Sequence, residues 1–231
     1  MKPARFDDMT LDGPAEGEGV SAFAAELAAL ARRLAPSGQT GKAVMMLGIT
    51  AKAGTSSVAA GLARAAAVET GGPVWLVDLD FHANPQASRA RLNGAAYSTD
   101  LGTAPFWQAE PHGTGRLVLR KLEAAYVMVT RFQHKPDEME RLIFRRAPAY
   151  WQQLRAMSPL AVVDVPHGSP AISAIAPDLD GVILVANARR DKRADAERLA
   201  AHIEKLGARV LGVIVNRAGD WQGQRQQDGT Q

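Results

Sequence analysis

The residues best placed to do chemistry are small and polar ones at the end of an apolar run. Val44-Met45-Met46-Leu47-Gly48 passes through Ile49-Thr50-Ala51-Lys52-Ala53-Gly54-Thr55-Ser56-Ser57 into Val58-Ala59-Ala60-Gly61-Leu62-Ala63. A buried parallel strand reads as a continuous apolar run, and the small residues after it let backbone N–H groups converge at a helix N-terminus, where the dipole favours an anion. That is the layout of a phosphate-binding loop. The working motif is G-x-x-x-x-G-K-[ST], whose lysine reaches the outer phosphates. With Ser56 at the hydroxyl position, Gly54 is the last glycine, Thr55 stands where the lysine belongs, and the earlier glycines become Ala51 and Lys52. Single contacts of the lysine type are worth about 10² to 10³ in rate or more, because phosphoryl transfer is catalysed almost wholly by positioning and charge stabilisation.

Two further apolar runs end in acids. Val74-Trp75-Leu76-Val77-Asp78-Leu79-Asp80 puts carboxylates at the C-terminal end of a strand, the end at which open parallel sheets bind ligands. Asp also favours strand-ending turns, so Asp78 and Asp80 are open to either use. Leu160-Ala161-Val162-Val163-Asp164-Val165-Pro166 repeats the design, with Pro166 turning the chain out of the sheet. Val182-Ile183-Leu184-Val185-Ala186 and Val210-Leu211-Gly212-Val213-Ile214-Val215-Asn216 are two more buried-strand patterns.

Helices alternate with these strands. Phe23, Leu27, Leu30 and Leu34 recur at three and four residue steps, which predicts an amphipathic helix over Ser21–Ala35. A second helix is expected from Ser56 to Glu69, broken by Gly71-Gly72-Pro73, and a third from Asp191 to Leu206, capped by Gly207. Tyr126–Val129 reads as a short strand. Pro136 to Met139 opens an expected helix with Met139, Leu142 and Ile143 on one face, continued after Pro148 by Tyr150, Trp151 and Leu154. Residues 90–115, rich in Gly, Pro and Thr, are expected to hold one short helix at most. The pattern as a whole predicts a doubly wound, mostly parallel α/β sheet with helices on both faces. Right-handed crossovers then gather Gly54, Asp78, Asp80, Asp164 and Asn216 along one edge of it.

Composition sets the bounds. With 231 residues, 46% hydrophobic and 22% charged, the chain suits one α/β domain, expected over 20–217 between loose tails at 1–19 and 218–231. No stretch approaches the roughly 20 apolar residues that span a bilayer, and Met1 to Asp8 carries no apolar signal core, so a cytoplasmic location is expected. Zero cysteines exclude disulfides and thiolate metal sites. The net charge of +3 is spread along the chain, and no nucleic-acid partner is expected.

In this order the motifs resemble the cytoplasmic domains of bacterial tyrosine kinases, a family within the ParA and MinD-like P-loop ATPases that acts in capsule and exopolysaccharide export. The resemblance spans about residues 20–217. It is most specific from Asp164 through Asp180-Gly181-Val182-Ile183-Leu184-Val185 to Leu206–Arg217, and poorest over 90–135. It implies a P-loop NTPase-like fold, with Lys52, Gly54, Thr55, Ser56, Ser57 and Asn216 around a nucleotide, Asn216 near the adenine. It implies Asp78 and Asp80 as catalytic acids if the site is active, and Ser56, Asp78 and Asp164 as magnesium ligands if a nucleotide binds. The chain departs from the family in the missing lysine. It departs also in Phe81-His82-Ala83-Asn84-Pro85, where an arginine follows the second acid, and in a C-terminal tail without tyrosine. The implied protein is therefore a pseudokinase or pseudo-ATPase with weak magnesium-ATP or ADP binding at best. It would sit at the inner membrane through a membrane-embedded polysaccharide co-polymerase or chain-length partner. The helix Ser21–Ala35 would serve subunit contacts in a homo-oligomer. The alternative is a weak ATPase of the ParA and MinD type with a nucleotide-switched dimer.

Overall fold

A computed structural model describes residues 19–216 apart from 37 and 136, with side chains from Phe23 onward, so the expected tail at 218–231 and all of the expected tail at 1–19 but Gly19 lie outside the described residues. The chain builds β1 (Lys42–Gly48), β2 (Val74–Asp78), β3 (Leu92–Ser98), β4 (Trp107–Glu110), β5 (Gly115–Leu122), β6 (Val127–His134), β7 (Arg141–Phe144), β8 (Leu160–Val165), β9 (Gly181–Asn187) and β10 (Val210–Asn216). Between them run α1 (Gly19–Leu34), α2 (Thr55–Thr70), α3 (Pro85–Arg89), α4 (Pro148–Met157), α5 (Ala171–Ile175) and α6 (Arg193–Lys205).

Eight strands form one sheet in the order β10-β9-β1-β8-β2-β6-β5-β3. The six from β10 to β6 run parallel, and β5 and β3 add an antiparallel edge. This is the expected doubly wound, mostly parallel α/β sheet. Its central strands read as unbroken apolar runs because both faces are covered. Val44 and Met46 of β1 pack beneath α1 and α2, whereas Met45 and Leu47 pack with Tyr150, Trp151 and Leu154 of α4 on the other face.

Helix α1 spends its stripe inside the domain. Leu27, Leu30 and Leu34 are buried against α2 and against Ile183 and Ile214 of the sheet. Arg32 closes the far end of the helix pair with a bond from its Nη1 to Glu69 Oε1 at 2.7 Å.

Two regions differ from expectation. Residues 92–122 hold three strands, β3, β4 and β5, in place of one short helix at most. Their composition has weak strand propensity, and pairing supplies what propensity lacks: β5 joins β6, and β3 then joins β5 across a bulge between Asn93 and Tyr97. The expected helix carrying Met139, Leu142 and Ile143 does not form: Leu142 and Ile143 lie in the strand β7, which pairs antiparallel with β4, and Met139 precedes it. There Trp107 faces Phe144 across the ladder, and Phe144 reaches Phe81 with ring centroids 5.5 Å apart. Burying that aromatic cluster outweighs the helical spacing of the three apolar residues. The short strand expected at Tyr126–Val129 extends through His134 as β6.

Candidate functional site

The phosphate-type loop leaves β1 at Gly48 and enters α2 at Thr55, at the C-terminal edge of the parallel strands. Its turn is made by Lys52 (φ 67) and Gly54 (φ 91), both in the left-handed region. The first is the conformation a loop glycine takes without cost, and here a lysine takes it with its side chain exposed. At Gly54 a side chain is excluded. Asn216, at the end of β10, donates from Nδ2 to Ala53 O at 3.0 Å, and a Cβ on Gly54 would stand 2.1 Å from that nitrogen. Gly54→Ala is expected to cost about 1–3 kcal/mol through this clash and the positive φ, read as a lower midpoint in thermal unfolding.

Thr55 does not replace the lysine. Its Oγ1 folds back toward β1, 2.6 Å from where a Cβ of Gly48 would stand. The loop has two more ties that its sequence did not advertise. Thr50 Oγ1 donates to Asp191 Oδ1 at 2.7 Å while Asp191 Oδ2 accepts Asn187 N–H at 2.6 Å, and His167 Nδ1 lies 3.0 Å from Gly48 O.

The acids meet because β2 and β8 are neighbours in register, Asp78 beside Asp164. Both carboxyls are buried, 1% and 3% exposed, on the α2 side of the sheet. Asp78 Oδ1 accepts Asp80 N–H at 3.0 Å and Oδ2 accepts Gln86 N–H at 2.9 Å. Asp164 accepts the Ser56 hydroxyl, and its Oδ2 accepts Gln86 Nε2 at 2.7 Å. Burial pushes the Asp78 carboxyl up to about 7, with the charge of Asp164 adding and the N–H bonds from Gln86 and Asp80 opposing. Burial likewise raises Asp164, against the hydrogen bonds from Gln86 and Ser56. Asp80 Oδ1 accepts Ala83 N–H at 3.0 Å in the turn that leads to α3, and its charge helps to raise both buried acids.

The structure thus brings Ser56, Asp78 and Asp164 together and sets Gly54 against Asn216. It holds Lys52 and Ser57 on the exposed side of the loop and α2. The residue missed from the sequence is Gln86, which bonds to both acids and to the Ser56 carbonyl, Nε2 donating at 2.8 Å. The signal available for it was Asn84-Pro85, a helix start six and seven residues past Asp78.

A magnesium nucleotide asks this edge for a cation on the outer phosphates and for an open position among Ser56, Asp78 and Asp164. The first is absent at Thr55, and the Gln86 amide bridges the second. As arranged, the residues do not fit the group.

No family model matches the chain, and no curated protein matches it in sequence. Among solved structures it is similar to the chimerical protein CapA2B2, with a TM-score of 0.61 and 16% identity over 92% of this chain and 94% of that one. It is similar to the kinase domain of the Escherichia coli tyrosine kinase ETK, with a TM-score of 0.57 and 15% identity over 86% of this chain and 74% of that one. The VpsO kinase domain gives a TM-score of 0.57 and 17% identity over 84% of this chain and 95% of that one. At these identities the likeness is one of fold, and the fold is that of bacterial tyrosine kinase domains.

Proposed function

We propose that this chain is a kinase-like but non-catalytic component of an exopolysaccharide or capsule synthesis and export system, acting by binding a membrane-embedded polymerisation or chain-length partner. The observation that carries the non-catalytic part is the loop itself. Thr55 occupies the lysine position with its hydroxyl turned back toward Gly48, and Lys52 is held outward on a left-handed residue. Without a cation on the phosphates, the charge that develops in phosphoryl transfer has no counter-charge at the loop. The polysaccharide system comes from the motif resemblance, and the kinase domains that share the fold are in keeping with it.

Among the described residues no helix is long and apolar enough to cross a membrane. In the proposed reading a place at the inner membrane comes through the partner. With Leu27, Leu30 and Leu34 used inside the domain, any homo-oligomer contact through α1 falls to its outward side, where Ala25 and Ala29 are exposed. A second reading, a weak ATPase with a nucleotide-switched dimer, is favoured by the meeting of Ser56, Asp78 and Asp164. In that reading Lys52, Gly54, Thr55, Ser56, Ser57 and Asn216 would surround the nucleotide, with Asp80 beside the reacting group.

The two readings part in source cells deleted for this chain and supplied with Asp164→Asn. Near-normal polysaccharide output is expected, since no phosphoryl step depends on that acid; lost output from a folded variant would favour the ATPase. The purified chain is also expected to form no phosphotyrosine with magnesium-ATP. Tyr150 is buried, and Tyr97 and Tyr126 project from the body of the fold. Phosphotyrosine found by mass spectrometry would overturn the non-catalytic reading.

A further inference from the structure

We propose that the Gln86 side-chain amide is a built-in substitute for the divalent cation, holding together the groups that a metal would otherwise bridge. The inference rests on the non-catalytic reading and extends it from what the site lacks to what replaces it.

The geometry is specific. Gln86 is 7% exposed, and its Nε2 donates to Ser56 O at 2.8 Å and to Asp164 Oδ2 at 2.7 Å. Both partners are acceptors, so the nitrogen and not the oxygen of the amide must face them. Its backbone N–H meanwhile donates to Asp78 Oδ2 at 2.9 Å. One residue therefore supplies three hydrogens that tie the first turn of α2 to the acids of β8 and β2. A divalent cation in this position would draw on the same carboxylate oxygens, so amide and cation exclude one another.

The fold is shaped to deliver that amide. Pro85 starts α3 with a fixed φ, and the preceding Asn84 locks the turn to β6: its Nδ2 donates to Phe132 O at 3.1 Å and its Oδ1 accepts Phe132 N–H at 2.6 Å. A cleft of about 240 Å³ between α2 and α3 reaches Gln86 from solvent. Removing the side chain would open this cleft onto Asp164 and Ser56 and leave their acceptors for water or a cation. Arg64 and Arg89 line the same cleft, and the charge of Arg89 already acts on Asp164, so a cation admitted there would meet two opposing charges.

The test is a Mn²⁺ titration of the full chain, without nucleotide, followed by electron paramagnetic resonance. The wild type is expected to bind no Mn²⁺ tightly. Gln86→Ala is expected to bind about one equivalent at least tenfold more tightly than wild type, and Gln86→Ala with Asp164→Asn to lose that gain. Folding is followed in parallel by thermal unfolding with and without Mn²⁺. If Gln86→Ala is unfolded alone, Mn²⁺ should restore it. Gln86→Glu, which sets a third carboxylate on the pair, should unfold earlier and regain its midpoint with Mn²⁺. A folded Gln86→Ala with wild-type Mn²⁺ binding, or unfolded variants that Mn²⁺ does not rescue, would overturn the proposal. Because no nucleotide is present, such a failure leaves the non-catalytic reading standing, whereas magnesium-ATP binding by the wild type would overturn that reading and this inference with it.

Discussion

Leu27→Asp combined with Leu30→Asp is expected to unfold this domain or bring it close to unfolding, with a loss on the order of 5 kcal/mol in urea denaturation followed by circular dichroism. Both leucines are almost fully buried, 4% and 3% exposed, between α2 and the sheet. Each loses about 1.5–3 kcal/mol of apolar burial, and each carboxylate adds several kcal/mol of desolvation if it stays inside. The chain can limit that cost by releasing α1, but release uncovers the flank of α2 and the outer strands β9 and β10. Either way the loss is comparable to the 5–15 kcal/mol that holds an ordinary domain together. The control is Ala25→Asp with Ala29→Asp on the exposed side of the same helix, expected to cost about 1.5 kcal/mol or less. An unchanged midpoint in the leucine pair would mean that the stripe is a free surface. Polysaccharide output lost on the alanine side, in a folded protein, would place the docking contact there.

Stability is also expected to fall as pH rises from about 4 to about 8. The Asp78 carboxyl holds its proton to about 7 in the folded chain against 3.8 for a free side chain. A carboxyl with a raised folded value stabilises the fold fully below the unfolded value and loses that contribution as pH climbs through the folded one. The difference is about 3 units, or about 4 kcal/mol at 1.36 kcal/mol per unit, taken as an upper bound. Asp164 shifts in the same direction, also chiefly by burial, so the pair adds to the slope and does not cancel it. Asp78→Asn is expected to flatten the dependence between pH 5 and 8, whatever it does to absolute stability. A wild-type midpoint that climbs across this range would show that the acids are ionised in the folded protein.

How far the sequence was legible follows from where local pattern and tertiary need agree. Val44 to Gly48, Val74 to Asp78 and Leu160 to Val165 are covered on both faces, so their apolar runs read as central strands, and the placing of Asp78 and Asp164 at one sheet edge followed from chain direction, while their meeting took the in-register pairing of β2 with β8. Leu142 and Ile143 misled because a four-residue strand and a helix turn look alike until a partner is known, and the partner Trp107–Glu110 lay in a stretch of weak pattern. The α1 stripe was read correctly as apolar and amphipathic, but periodicity does not say whether a face meets its own domain or another. Gln86 was missed for a different reason. A lone glutamine in a polar loop carries no motif, and its role arises only when Asn84 and Pro85 deliver it to two acids far apart in the chain.

The most direct measurement of the central claim, a tyrosine kinase fold whose phosphate site does not serve a nucleotide, is isothermal calorimetry of the wild-type chain with magnesium-ATP and magnesium-ADP. No saturable heat is expected with either nucleotide at concentrations up to about 1 mM, the range in which a Kd corresponds to only about 4 kcal/mol of binding. Saturable, magnesium-dependent binding in the micromolar range, lost in Asp164→Asn, would contradict it.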